Sequence, residues 1–143
     1  MKISAKGRYA IGLMLDLATY NVGDPITLKD IAKRQDIPDK YLEQIVSLMS
    51  RAGFVKSTRG AQGGYMLREK PENYTLGMIL NETEKELVPS EFDNEDLVRD
   101  SLSDEVLIRI HTELNNAIKQ VLDNVTLADM LEWQSNSWGG YSI

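Results

Sequence analysis

Within residues 27–52 the apolar side chains fall into two short helical stripes, separated by a break that a helix cannot cross. Leu28, Ile31 and Ala32 mark the first stripe and Leu42, Ile45, Val46 and Met49 the second, with Asp36-Ile37-Pro38 between them. Proline lacks a backbone donor and has a fixed φ, so Pro38 suits the first turn of a helix rather than its middle. Thr27 heads the first stripe with Asp30 three residues on, a shortened capping box. Gly53 is the expected stop of the second. Two brief helices joined by a turn of three or four residues outline a helix-turn-helix. The small Ala32 lets the helices cross closely, Ile37 plugs the turn, and Leu42 and Ile45 anchor the second helix.

The flanking segments predict a mainly α fold with a small β-hairpin wing. Ser4 caps a helix over residues 5–20, where Tyr9, Leu13, Leu17 and Tyr20 recur at helical spacing. Residues 54–57 and 65–68 read as short strands joined through Gly60, Gly63 and Gly64, a hairpin with a basic tip. A helix is expected over 75–84. From Ser103, Val106, Leu107, Ile110, Leu114, Ile118, Val121 and Leu122 recur at steps suited to a long amphipathic helix. Thr126 caps a short final helix over 127–133. The chain therefore divides into a winged helix-turn-helix at 1–81, an acidic link at 82–102, a long amphipathic helix with a short final helix at 103–134, and a flexible tail at 135–143.

Charge decides how far a nucleic-acid reading is allowed. The 143 residues carry 16 Lys and Arg against 22 Asp and Glu, a net of −6. Spread evenly, that would discourage contact with phosphate. It is not even: residues 1–70 hold 12 basic and 7 acidic side chains, and residues 71–143 hold 4 and 15. The basic half is the half that carries the helix-turn-helix, which is a functional hint. The absence of cysteine excludes a disulfide scaffold, a thiolate zinc site, a cysteine nucleophile and a Cys-ligated iron–sulfur cluster. No apolar run approaches the ~20 residues of a membrane span, and no secretory signal is expected, which makes the cytoplasm the default location.

Helix-turn-helix proteins read base edges with the N-terminal end of the second helix. That end carries Asp39, Lys40, Tyr41, Glu43 and Gln44. Glu43 suits a cytosine amino group and Gln44 an adenine. Lys33, Arg34, Lys40 and Arg51 are candidates for phosphate. Arg59 at the wing tip suits a minor groove, whose negative potential attracts guanidinium, and Lys2 and Gln62 complete the expected DNA-facing set. The glycines of residues 60–64 do not form a phosphate loop, because they lie between two strands and no helix opens after them. Two other classes compete. A protein–protein adaptor would use the acidic link and long helix and bind no DNA above the non-specific level. An enzyme is disfavoured by a single His, no Cys, and no Ser in a nucleophile-elbow pattern.

Four motifs in order carry a family resemblance. Met1-Lys2-Ile3-Ser4-Ala5-Lys6-Gly7-Arg8-Tyr9-Ala10, Tyr41-Leu42-Glu43-Gln44, Arg59-Gly60-Ala61-Gln62-Gly63-Gly64-Tyr65-Met66-Leu67 and Val125-Thr126-Leu127-Ala128-Asp129 resemble the Rrf2 family of bacterial winged-helix regulators. The resemblance covers nearly the whole chain. It implies a homodimer on a dyad-symmetric promoter site, with Val106, Ile110, Leu114, Ile118 and Val121 facing the twin helix. It places base contacts on Tyr41, Glu43 and Gln44 and the minor-groove contact on Arg59. Pro38 and Lys40 stand where some relatives have serines, which opens the preferred DNA sequence to change.

Many members of this family hold an iron–sulfur cluster through three cysteines in the link. None is present here, and His111 alone cannot replace three thiolates. The chain is similar at both ends to the cysteine-free branch that includes a repressor of cysteine metabolism. In that branch the partner is cysteine synthase (O-acetylserine thiol-lyase), a corepressor that accepts partner C-termini ending in isoleucine in its active-site cleft. Tyr141, Ser142 and Ile143 fit such a tail: the preceding glycines give reach and the terminal carboxylate docks on backbone donors.

Overall fold

A computed structural model of the chain describes residues 2–88 and 102–139. The first helix, α1 (Ala5–Thr19), runs through the middle of the structure and packs against most other elements. Its N-terminus is closed by Ser4, whose hydroxyl accepts the Gly7 N–H at 3.1 Å. Ala10, Leu13, Met14 and Leu17 are completely or almost completely buried along it. Burying each large side chain of this kind contributes roughly 1.5–3 kcal/mol, so α1 is the main source of apolar adhesion for the elements around it.

The helix pair forms as the sequence break requires. Thr27 caps α2 (Leu28–Gln35) by accepting the Asp30 N–H at 3.3 Å. The helix ends at Asp36, which turns left-handed with φ 51°. Asp tolerates that conformation better than most residues because its short polar side chain bonds locally. Ile37 then drops into the core and its N–H reaches the Ala32 carbonyl at 3.1 Å. Pro38 stands just before α3 (Asp39–Arg51), one position outside the first turn where the sequence placed it.

The hairpin pairs β1 (Val55–Thr58) with β2 (Gly64–Leu67) in antiparallel register, Val55 opposite Leu67 and Thr58 opposite Gly64. Both strands lie one residue nearer the tip than expected. The Phe54 N–H is taken by the Met49 carbonyl at the end of α3, which excludes it from the ladder. A Cβ on Gly63 would collide with the Thr58 carbonyl, so only glycine lets the strands close that early. Ile26, just before α2, exchanges both backbone bonds with Tyr65 at 2.9 and 2.8 Å and ties the hairpin to the helix pair.

A 3₁₀ turn (Pro71–Asn73) leads to α4 (Leu76–Asn81), shorter than the expected 75–84 because the Thr83 and Glu84 N–H groups both turn back onto the Leu80 carbonyl. The long helix α5 (Leu102–Asn124) begins one residue before Ser103. The final helix α6 (Leu127–Gly139) is twice the length expected, and residues 135–139, read as tail, belong to it. No glycine or proline interrupts before Gly139, and Gln134 donates to the Thr19 hydroxyl at 3.0 Å, holding the added turns against α1. Thr126 and Asp129 close a reciprocal capping box at its start.

Residues 74–76 and 125–127 pair across this start. Leu76 N–H reaches Val125 O at 2.8 Å, and Leu127 N–H reaches Tyr74 O at 2.9 Å. With Leu127 and Met130 in the same core as α1, the C-terminal helix is built into the N-terminal unit. Among the described residues no helix is long and apolar enough to cross a membrane. Most of the acidic link, residues 89–101, and the tail residues Tyr141, Ser142 and Ile143 lie outside the described residues.

Candidate nucleic-acid interface

The second helix of the pair has a buried and an open side at its N-terminal end. Leu42, Ile45 and Val46 are inside, while Asp39, Lys40, Tyr41, Glu43 and Gln44 are exposed. The 3.6-residue period sorts them without exception across these two turns. Tyr41 leans on Tyr9 of α1, the rings 5.8 Å apart and tilted by 46°, and keeps half its surface open. The contact sets the direction of the Tyr41 side chain without hiding it.

Lys2, Lys33, Lys40, Arg51, Arg59 and Gln62 are all exposed. A surface cleft brings Lys2, Lys6 and Tyr41 together with Thr83, Glu84, Lys85 and Glu86, so the start of the acidic link adjoins the end of α3. Arg59 stands at the hairpin tip, where Gly60 takes a φ of 113° that favours glycine.

Arg34 departs from the expectation that it meets phosphate. Its guanidinium is committed to the protein: Nε and Nη2 donate to the two Asp16 carboxylate oxygens at 2.9 and 2.8 Å. Gln35 adds a third bond to Asp16 at 3.0 Å, and the Arg34 guanidinium lies 4.0 Å from the centre of the Tyr20 ring. Hydrogen bonding to Asp16 raises the Arg34 pKa above its already high ordinary value. Asp16 is the residue that sequence reasoning passed over. It sits between Leu13 and Leu17 on the apolar stripe of α1, and a carboxylate there needs a partner once buried.

The long helix presents an apolar face with nothing on it among the described residues. Val106, Leu107, Ile110, Leu114 and Val121 are each about half exposed, at 47–59%. Leu122, at the flank of this face, where α5 packs on α4, is buried. Ile118 is partly covered. Glu105, Val106, Arg109, Ile110, Glu113 and Leu114 line a shallow groove along this face.

A family of regulators described as iron-dependent transcriptional regulators, Rrf2, matches residues 3–133. The chain belongs to the Rrf2 family. It is 40% identical to the HTH-type transcriptional regulator CymR of Bacillus subtilis over 143 residues, covering 99% of this chain and 97% of that one. The solved structure of the B. subtilis CymR, named the global cysteine regulator, superposes with a TM-score of 0.77 over 93% of this chain and 98% of that one. The T. potens IscR structure follows at a TM-score of 0.71 and 37% identity, over 96% and 90% of the two chains. The protein is thus a transcriptional regulator of the Rrf2 and CymR type, mainly helical with a two-stranded wing.

Iron does not suit the ligands of this Rrf2 chain. It has no cysteine to supply thiolates. Among the described residues, no group of three His, Asp or Glu side chains comes together in a way that could hold a metal ion.

Proposed function

We propose that this Rrf2 regulator is a homodimeric, sequence-specific repressor that binds double-stranded promoter DNA without an iron–sulfur cluster. The observation that carries the reading is the open side of α3, where Lys40, Tyr41, Glu43 and Gln44 project from a helix whose opposite side is locked in the core. Such a helix enters a major groove as a rigid reader. Tyr41, Glu43 and Gln44 are its base-reading residues. Lys2, Lys33, Lys40 and Arg51 face phosphates, and Arg59 with Gln62 reaches a minor groove from the wing.

Two copies join through the half-exposed face of α5, which gives the pair of half-sites a two-fold partner. The likeness to CymR, named as a global cysteine regulator, supports control of cysteine and sulfur metabolism genes. Cysteine synthase is the corepressor in this reading, engaged through the C-terminal residues.

The test is selection of duplexes from a random-sequence library, followed by mobility shifts on the selected site. Tyr41→Ala with Gln44→Ala is expected to abolish preference for that site. Arg59→Ala should weaken binding and lower the salt slope by about one counterion. Native protein that selects no consensus, or variants with unaltered affinity and salt dependence, would defeat the reading.

A further inference from the structure

The polar contacts that hold α2 to α1 differ in kind from the rest of the core. Among the described residues Asp16 is the one buried charged side chain, 1% exposed overall. Arg34 keeps 31% of its side chain open, and Asp16 keeps none. Both carboxylate oxygens are used, one by Arg34 and the other by Arg34 and Gln35 together. Gln35 in turn crosses α1 beside Gly12, where a Cβ would stand 3.4 Å from its side-chain oxygen. Arg34 is stacked on Tyr20, the residue that caps the C-terminal end of α1.

Apolar burial alone holds α2 weakly. Of its eight residues, Ile31 is the one fully buried. Ile31, with Leu28 and Ala32 partly buried against the core beside it, resists removal of the helix but does little to fix its rotation, since apolar attraction is non-directional. A two-pronged guanidinium–carboxylate pair is directional. It sits at the C-terminal end of α2, where Arg34 and Gln35 immediately precede the left-handed Asp36 and the turn into α3. A small rotation of α2 there is passed through Asp36, Ile37 and Pro38 to the N-terminal end of α3. Buried ion pairs of this sort add little to net stability when compared with apolar residues of similar size. Energy of folding is therefore a poor explanation for burying this carboxylate.

We propose that Asp16, through its fork with Arg34 and Gln35, is a positioning residue that sets the angle at which α3 presents Tyr41, Glu43 and Gln44, and so governs discrimination between DNA sequences. The proposal rests on the DNA-binding reading above. It assigns Asp16 no contact with DNA.

The test uses the full-length protein, the duplex that it selects from a random library, and a shuffled duplex of the same composition. Asp16→Leu with Arg34→Leu removes both charges together; Arg34→Lys keeps the charge and removes the fork. Both variants are expected to fold, the double variant with a thermal midpoint near or above native. Both should bind the shuffled duplex with native affinity and salt slope. The ratio of selected to shuffled affinity should fall at least about tenfold, the loss of one well-made base contact. An unchanged ratio in either folded variant overturns the proposal while leaving the DNA-binding reading intact. Native protein without any preference overturns that reading, and this proposal with it.

Discussion

The Glu84 carboxylate accepts the Ser4 N–H at 2.7 Å, joining residues 80 positions apart. The bond places an acidic side chain at the N-terminus of α1, where the helix dipole favours negative charge. It also places the beginning of the acidic link beside Tyr41. The approach is close because Gly7 has no side chain. A Cβ there would stand 2.5 Å from Glu84 Oε1, 2.8 Å from Ile3 and 3.1 Å from Leu80.

Gly7→Ala should therefore destabilise despite the better helix propensity of alanine. The helix gain is at most about 1 kcal/mol, while overpacking against a buried neighbour costs about 1–3 kcal/mol. Leu80 is fully buried and has little room to retreat. A net loss of about 1 kcal/mol is expected in urea titrations. Adding Glu84→Ala removes the nearest clash, so the double variant should be more stable than the sum of the single effects. A stabilised Gly7→Ala protein would mean that Glu84 and Leu80 do not cross α1 there.

The α5 face gives a second prediction. Ile110 and Leu114 are 47% and 55% exposed in one copy, so charging them costs a single chain little. Between two copies the same charge would be desolvated at several kcal/mol. Ile110→Glu with Leu114→Glu should yield a helical monomer by light scattering and circular dichroism, where the native protein is expected to be a dimer. A variant that remains dimeric would place the contact elsewhere.

The helix pair was readable because its signals are local. Thr27, Asp36 and Pro38 each act on the backbone within a residue or two, and the stripe from Leu42 to Met49 needs only helical geometry. The wing strands were found but shifted by one, since their ends depend on Met49 capturing the Phe54 N–H and on the Thr58 carbonyl lying over Gly63. The helical character of residues 135–139 depends on packing of α6 against α1, which a Ser- and Asn-rich segment does not announce. Arg34 looked like its neighbour Lys33 in sequence. Only the fold shows that one faces solvent and the other a buried carboxylate 18 positions away. Long-range polar pairing leaves almost no trace in a single sequence.

Tyr74 supplies a pH dependence. Its hydroxyl donates to the Phe54 carbonyl at 2.6 Å and accepts the Glu69 N–H at 2.9 Å, with its ring edge-on to Phe54. Burial pushes the phenol above its ordinary value of 10.0, because the ionised form is poorly solvated inside. The folded state then holds its proton more tightly than the unfolded chain. Its contribution is whole below the unfolded pKa near 10 and is lost as pH rises through the higher folded value. Tyr74→Phe should cost about 1–3 kcal/mol at neutral pH by leaving a buried partner unsatisfied. It should also flatten the fall in stability above pH 10 in thermal melts. A native protein whose stability shows no alkaline decline, or a variant that declines as steeply, would contradict this assignment.

The C-terminal residues give the last prediction, on the corepressor in the proposed function. Calorimetric titration of the full-length protein into cysteine synthase should show saturable binding. Removing Tyr141, Ser142 and Ile143 should abolish it, because the Tyr141 ring and the apolar Ile143 side chain are the groups that an amino-acid cleft would pack. O-acetylserine, as substrate of the same cleft, should compete and raise the apparent Kd in proportion to its concentration. Binding that survives both the truncation and excess O-acetylserine would remove the tail from the active site. Absence of binding by the full chain would remove cysteine synthase from the reading, leaving DNA recognition by α3 to stand on its own test.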